Sequence, residues 1–112
     1  MTHPNKTKGN VAERAVVTYL RGRGFIHAER SRAGWTDDRG DIDGLPGVCI
    51  EIKNEKRINL AGYMDELLRE TLAAKADTGV VIVKKRGTAD VAQWYAVAPV
   101  SVWVDLLKES GR

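Results

Sequence analysis

Residues 40–53 read GDIDGLPGVCIEIK, and this stretch decides how the rest of the chain can fold. Two extended runs, 41–45 and 48–53, flank the turn signal Pro46-Gly47, and together they predict a β-hairpin. Side chains alternate between the two faces of a strand. The second run therefore places Val48, Ile50 and Ile52 on an apolar face and Cys49, Glu51 and Lys53 on the other face.

Two helices are predicted on either side of this hairpin. The first covers about 10–21, with Asn10 as its cap and Gly22 and Gly24 after its end. The second covers about 60–75 and follows the capping residue Asn59. Apolar residues recur along it at helical spacing, and this stripe consists of Leu60, Met64, Leu67, Leu68, Thr71 and Leu72.

Further strands are predicted over 25–29, 80–84 and 94–98, and a short helix from Pro99 to about 109. The element order α-β-β-β-α-β-β-α indicates an α/β or α+β domain with a mixed sheet. With 112 residues, the chain is expected to form one domain over 1–112, in which residues 1–9 are a flexible basic arm.

The composition excludes several classes of protein. Apolar residues make up 43% and charged residues 29%, as in soluble globular domains. No apolar run approaches the roughly 20 residues of a membrane span, and the polar N-terminus lacks the apolar core of a secretory signal. We therefore expect a cytoplasmic protein with no membrane partner. With one cysteine and two separated histidines, any catalytic metal must be a hard cation bound by oxygen atoms.

Positive charge is concentrated in the first part of the chain. Residues 1–40 carry eight Lys/Arg and four Asp/Glu, whereas residues 41–112 carry ten and eleven. A basic segment of this kind favours a nucleic-acid partner. The candidate phosphate contacts are Lys6, Lys8, Arg14 and Arg30, and also Lys84, Lys85 and Arg86, for which a solvated turn is an equal alternative.

The hairpin brings together residues suited to phosphodiester hydrolysis. Asp41 lies across the hairpin from Glu51 and Lys53, so two carboxylates and an ammonium converge. Carboxylates can hold a divalent cation that polarises a phosphoryl oxygen and lowers the pKa of a bound water. A lysine can stabilise the charge that develops in the transition state. Taken alone the pattern is weak, because Glu-x-Lys often marks only a solvated strand face and Asp beside Gly is common in turns.

Glu13 is a third candidate acid. It shares a helix face with Val16, Val17 and Leu20. The alternative is a capping residue that the helix dipole favours, and periodicity by itself favours that alternative.

The order of these residues resembles the archaeal Holliday junction resolvases and the small phage-encoded resolvases related to them. The resemblance covers about residues 6–85. Its motifs are Lys8-Gly9, Glu13-Arg14, Leu20, Gly24-Phe25, Arg30-Ser31, Gly34, Gly40-Asp41-Ile42 and Ile50-Glu51-Ile52-Lys53.

The resemblance implies a restriction-endonuclease-like PD-(D/E)XK core, a central mixed β-sheet of about five strands flanked by helices. It implies Glu13, Asp41 and Glu51 as the acids of a magnesium site, where manganese would substitute, and Lys53 as the catalytic lysine. It also implies a functional serine or basic residue before Asp41, which corresponds to Ser31 or Arg32. No small-molecule cofactor is expected.

The implied activity is a metal-dependent endonuclease that resolves four-way DNA junctions in recombination and repair, in the host cytoplasm if the chain is phage-encoded. Family members are homodimers, and the apolar residues of 60–75 and 100–107 favour a dimer here. Two alternatives stay open: another PD-(D/E)XK nuclease, restriction-like or acting on single strands, and a non-catalytic nucleic-acid-binding protein.

Two positions depart from the family pattern. Gly40 stands where the family name places proline, and Asp43 is a second acid on the same strand face as Asp41. Either Asp41 or Asp43 could therefore be the metal ligand, although Ile42 fits the family's usual Asp-Ile pair.

Overall fold

The computed structural model describes residues 4–31 and 40–112, with side chains from residue 9 onward. The elements are α1 (Pro4–Gly22), β1 (Glu29–Arg30), β2 (Ile42–Asp43), β3 (Val48–Lys53), α2 (Leu60–Ala73), β4 (Thr78–Val83), a 3-10 turn (Val91–Gln93), β5 (Tyr95–Val97) and α3 (Val100–Glu109). The class is α/β with a five-stranded mixed sheet and three helices, which confirms the predicted element order. None of the helices in these ranges is long and apolar enough to cross a membrane.

The five strands lie in the order in which they occur in the chain. β3 and β4 pair in parallel, from Val48 beside Thr78 to Lys53 beside Val83, and the other neighbouring strands are antiparallel. Parallel neighbours need a crossover connection, and α2 provides it. The carboxyl ends of β3 and β4 consequently lie together at one edge.

Helices cover both faces of the central strands. α1 packs Ala12, Val16 and Val17 against Ile42, Ile50 and Ile52 on one face. On the other face, Tyr63 and Leu67 of α2 pack against Cys49, Val81 and Val83. The alternation predicted for β3 is confirmed, and its polar face lies under α2.

The first helix and the first strand differ from their predicted bounds. α1 begins at Pro4 rather than Asn10, so residues 4–9 are helical where we expected a flexible arm. Proline suits a first helical turn because it lacks an N–H that would need a partner. Asn10 is not a cap, and its Oδ1 accepts a hydrogen bond from Arg30. Residues 25–28 form a turn, closed by a hydrogen bond from Ala28 N–H to Phe25 O, so β1 begins only at Glu29.

The buried stripe of α2 also differs from the predicted one. Tyr63, Leu67 and Glu70 are its buried residues, whereas Leu60, Leu68 and Leu72 are exposed. The helix is therefore rotated so that part of its acidic face, rather than its full leucine stripe, meets the sheet.

A glycine in the hairpin supplies the first prediction. Gly44 has a φ of +95°, and a Cβ there would overlap the carbonyl oxygen of His27. Gly44→Ala should lower the free energy of unfolding by more than about 3 kcal/mol, because the cost of backbone strain and the cost of a backbone clash add.

Gly24→Ala is the control. It has a φ of +106° but open space at the Cβ, and should cost about 1–2 kcal/mol. Urea unfolding compares the two, and equal losses would contradict the clash.

Candidate active site at the carboxyl end of β3

Glu51 and Lys53 lie side by side on the polar face of β3. Glu51 is only 7% exposed, and its Oε1 is 3.8 Å from Lys53 Nζ. The ammonium donates a 2.9 Å hydrogen bond to Oε2 of Glu66, is 3.9 Å from Glu55 Oε1 and lies 5.3 Å from the ring centroid of Tyr63. The predicted pair is thus adjacent, and α2 covers it.

Two acids of α2 complete a cluster that the sequence pattern did not predict. Among the described residues, Glu51, Glu66 and Glu70 form a group in which one carboxylate oxygen of each residue lies within 4.8 Å of one from each of the other two. A signal was available, since Glu70 follows Tyr63 and Leu67 at spacings i+7 and i+3 and so belongs to the helix stripe that contains them. The leucine-rich stripe beside it obscured that signal.

Burial strongly perturbs the carboxyl group of Glu51. Desolvation is the largest cause, followed by a hydrogen bond shared with Glu70 and by the negative charges of Asp41 and Glu70, and only Lys53 opposes them. Together they raise the pKa of Glu51 from 4.5 to about 11. With all acids ionised, Oε2 of Glu51 is buried with no hydrogen-bond donor in the described parts of the chain. A proton or a cation between the carboxyl groups would satisfy it.

The pKa of Lys53 moves in the direction that keeps it charged. Burial lowers this pKa, but the hydrogen bond to Glu66 and the charges of Glu51, Glu66 and Glu55 outweigh burial, and the net pKa is above the usual 10.5. Lys53 is therefore an ammonium that can donate hydrogen bonds to anionic oxygens, and it is not a proton acceptor at neutral pH.

Asp41 lies at the edge of the same cluster. Its N–H donates to Ile50 O at 2.7 Å, and its Oδ2 accepts from Ile52 N–H at 2.7 Å. Its charge raises the pKa of both Glu13 and Glu51. Asp43, the rival acid, instead accepts a 3.2 Å hydrogen bond from Ser31 Oγ.

A glycine before Asp41 is explained by close packing. Gly40 has a φ of +92°, and a Cβ there would be 2.8 Å from Ile50 O. Proline holds φ near −65°, so it could not adopt this conformation. The glycine at this position therefore has a structural reason.

Glu13 lies on the α1 side of the sheet, apart from the cluster on α2. Its Oε1 accepts a 3.0 Å hydrogen bond from Arg30 Nε, and the two form an ion pair. Burial and the charge of Asp41 raise the pKa of Glu13, against the hydrogen bond and charge of Arg30. Glu13 thus interacts electrostatically with Asp41 but does not belong to the group of Glu51, Glu66 and Glu70.

The predicted DNA-contacting residues fall into two groups. Arg14 and Arg30 line a groove of about 370 Å³ beside Arg21. Lys84, Lys85 and Arg86 line another of about 370 Å³ beside Lys56 and Tyr95. Ser31 Oγ donates to Gly40 O at 2.9 Å. Arg32 and the side chains of Lys6 and Lys8 lie outside the described residues.

The second groove is adjacent to the buried acids. Lys84 N–H donates to Lys53 O at 2.9 Å, so the basic turn after β4 begins beside Lys53. Lys84 Nζ lies 5.6 Å from the ring centroid of Trp94. Positive charge from the second part of the chain is thus gathered at the edge where Glu51 and Lys53 lie.

No family model, no curated protein and no solved structure matches this chain. The functional interpretation therefore depends on the site itself.

The raised pKa of Glu51 predicts a pH dependence of stability in chelator, where no metal competes with the proton. The folded chain keeps a proton that the unfolded chain releases above about pH 4.5. The stability contributed by this group is therefore complete below that pH and is lost as the pH rises towards 11. Glutamine does not titrate in this pH range, so the Glu51→Gln variant lacks this pH-dependent contribution to stability. The free energy of unfolding of the wild type relative to Glu51→Gln should fall by about 1–3 kcal/mol from pH 6 to pH 8.

Urea unfolding at several pH values measures this difference, with Glu109→Gln, at an exposed position of α3, as the control that should follow the wild type. A difference that is independent of pH would mean that Glu51 is ionised in the fold.

Proposed function

We propose that this protein is a divalent-metal-dependent DNA endonuclease with a restriction-endonuclease-like PD-(D/E)XK core, and that its substrate is a four-way DNA junction. The observation that carries the proposal is the pairing of Glu51 with Lys53 on β3, buried at the shared carboxyl ends of two parallel strands, beside further acids. The mixed five-stranded sheet is compatible with that core.

The chemistry of the donors fits a magnesium or manganese ion. Carboxylate oxygens are the ligands that these hard cations prefer. Glu51, Glu55 and Glu66 lie near Lys53, and Glu70 and Asp41 lie near Glu51. A bound cation would polarise a phosphoryl oxygen and supply a water of lowered pKa. The buried Glu51 oxygen without a donor supports a cation at this place.

Basic residues of the chain would stabilise the reacting phosphate and bind its neighbours. Lys53 keeps its proton and would donate hydrogen bonds to the phosphoryl oxygens as negative charge develops on them. The basic groove of Lys56, Lys84, Lys85 and Arg86 would bind neighbouring phosphates. Arg14 and Arg30, on the other side of the sheet, would extend this contact along branched DNA.

The decisive experiment compares purified protein on a four-way junction, a duplex and a single strand in magnesium. We expect junction cleavage that is lost in excess chelator, with junction binding retained. Glu51→Gln and Lys53→Ala should each lower the rate by about 10²–10³ or more, with unchanged circular dichroism.

The controls are Glu109→Gln and Lys108→Ala, both at exposed positions of α3, which should cut like the wild type. Near-normal cleavage by either site variant would refute the Glu-x-Lys mechanism. Preference for duplex or single strands would favour a different nuclease of the same fold. Binding without any cleavage would favour a non-catalytic DNA-binding protein.

We further propose that the protein is a homodimer. Within the described chain, α3 contributes no buried residue, and Trp103 is 61% exposed. Together with Val48, Val80 and Val97, α3 lines an apolar cavity of about 480 Å³. Exposed apolar side chains gathered around one cavity favour an interface at this place. It lies at the amino ends of β3 and β4, away from Glu51 and Lys53, so two copies could join there with both sites open.

Sedimentation equilibrium tests the dimer. The wild type should have twice the mass of the 12.4 kDa chain, and Leu106→Glu should shift the protein to a monomer because a buried unpaired charge is costly. Ile26→Glu, an equally drastic change at an exposed position outside both of the predicted interface segments, is the matched control and should leave the dimer intact. A monomeric wild type at micromolar concentration, also with junction DNA, would refute the paired-site proposal.

A further inference from the structure

The acids nearest to Lys53 come from a different element than the sequence pattern suggests. Glu66 and Glu70 are one turn apart on α2, so both project from one side of that helix. β3 supplies Glu51, and one carboxylate oxygen from each of the three residues lies within 4.8 Å of the other two. The two elements are packed through Tyr63 and Leu67, so the cluster is held by rigid secondary structure.

Glu51 provides an independent observation that points to a ligand. Its side chain is 9% exposed, and its Oε2 is buried and has no donor within the described ranges. A buried carboxylate oxygen without a partner is destabilising unless a proton or a cation meets it. The carboxyl group that carries this oxygen belongs to the same cluster as the carboxylates of Glu66 and Glu70.

The charge of the cluster is suited to one divalent cation. Glu51, Glu66 and Glu70 contribute −3 when ionised and Lys53 contributes +1, which leaves −2. One magnesium or manganese ion would bring the sum over these four groups to zero, and the nearby charges of Asp41 and Glu55 would attract the ion further. Three carboxylates also leave coordination positions open for water and for a phosphate oxygen.

Glu13, on the α1 side of the sheet, and Asp41, at the edge of the cluster, are already engaged. Glu13 is hydrogen-bonded to and ion-paired with Arg30 at 3.0 Å, which compensates its charge. Oδ2 of Asp41 accepts the N–H of Ile52 at 2.7 Å and so fixes the edge between β2 and β3. These contacts give Glu13 and Asp41 structural roles, because each holds a neighbouring strand residue in place.

We propose that the divalent cation binds to Glu51, Glu66 and Glu70 on the α2 face of the sheet, and that Glu13 is a positioning residue that fixes Arg30. This assignment deepens the proposed nuclease function by naming its metal ligands. Glu66 would change from an acceptor for Lys53 into a ligand, and the Lys53 ammonium would then be available to a phosphate oxygen.

The test measures binding of the metal alone, without DNA. Isothermal titration with manganese chloride at neutral pH should show one site per chain in the wild type. Glu66→Gln and Glu70→Gln should each weaken binding by at least about tenfold, since even indirect partners of a ligand are worth that much. Glu13→Gln is the matched control and should bind manganese like the wild type. Circular dichroism and thermal unfolding check that each variant folds.

The possible outcomes distinguish failure of the proposed metal site from failure of the proposed nuclease activity. No binding at millimolar manganese would mean that a proton alone satisfies the acid cluster, and would overturn the site. Weakened binding in Glu13→Gln with normal binding in Glu66→Gln would overturn it as well, while leaving a metal-dependent nuclease possible. Binding with the expected ligand pattern but no cleavage of any DNA would support the site and refute the proposed activity.

Discussion

The parallel pairing of β3 with β4 is the constraint on which the rest of the structure depends. A parallel pair needs a crossover, and the crossover helix α2 lies on one face of the strands it connects. The opposite face is already covered by α1. The polar face of β3 is therefore buried, and Glu51 and Lys53 must find their partners inside the protein rather than in water.

The partners differ sharply between the two sides of the sheet. On the α1 side, Glu13 is compensated by Arg30 in direct contact. On the α2 side, Lys53 is surrounded by Glu51, Glu55 and Glu66, and the pKa of Glu51 is pushed far upward, above all by burial. An excess of buried negative charge next to a basic groove is an arrangement that stability alone does not favour. The arrangement is consistent with the proposal that the acid cluster binds a cation and the adjacent basic groove binds a polyanion.

The two ends of the sheet also have different chemistry. The carboxyl ends of β3 and β4 carry the acids, Lys53 and the basic turn after β4, whereas the amino ends lie beside the apolar cavity and α3. This separation would let the proposed dimer contact and the proposed DNA contact form without competing for the same surface. It results from the strand direction, because residues at opposite ends of a six-residue strand are roughly 17 Å apart.

The sequence by itself determined the class of fold, the hairpin and the pairing of Glu51 with Lys53. These features depend on periodicity and turn chemistry, which are local. The alternation from Val48 to Lys53 is complete within six residues, and Pro46-Gly47 marks the turn without reference to the rest of the chain. The early start of α1 and the late start of β1 were not predicted, because helix ends and short edge strands depend on tertiary hydrogen bonds such as that between Arg30 and Asn10.

Only the tertiary structure decided which acids meet. Glu13, Asp41 and Glu51 form a plausible set in the sequence, but whether Glu13 faces the polar side of β3 depends on which face α1 covers. The rotation of α2 likewise cannot be read from its leucines, since Leu60, Leu68 and Leu72 form a better apolar stripe than the one that is buried. The buried stripe contains Glu70 beside Tyr63 and Leu67, and the latter two pack against Cys49, Val81 and Val83 of the sheet. The packing of the helix against the sheet, and not the hydrophobicity of one helix face, determined the orientation of the helix.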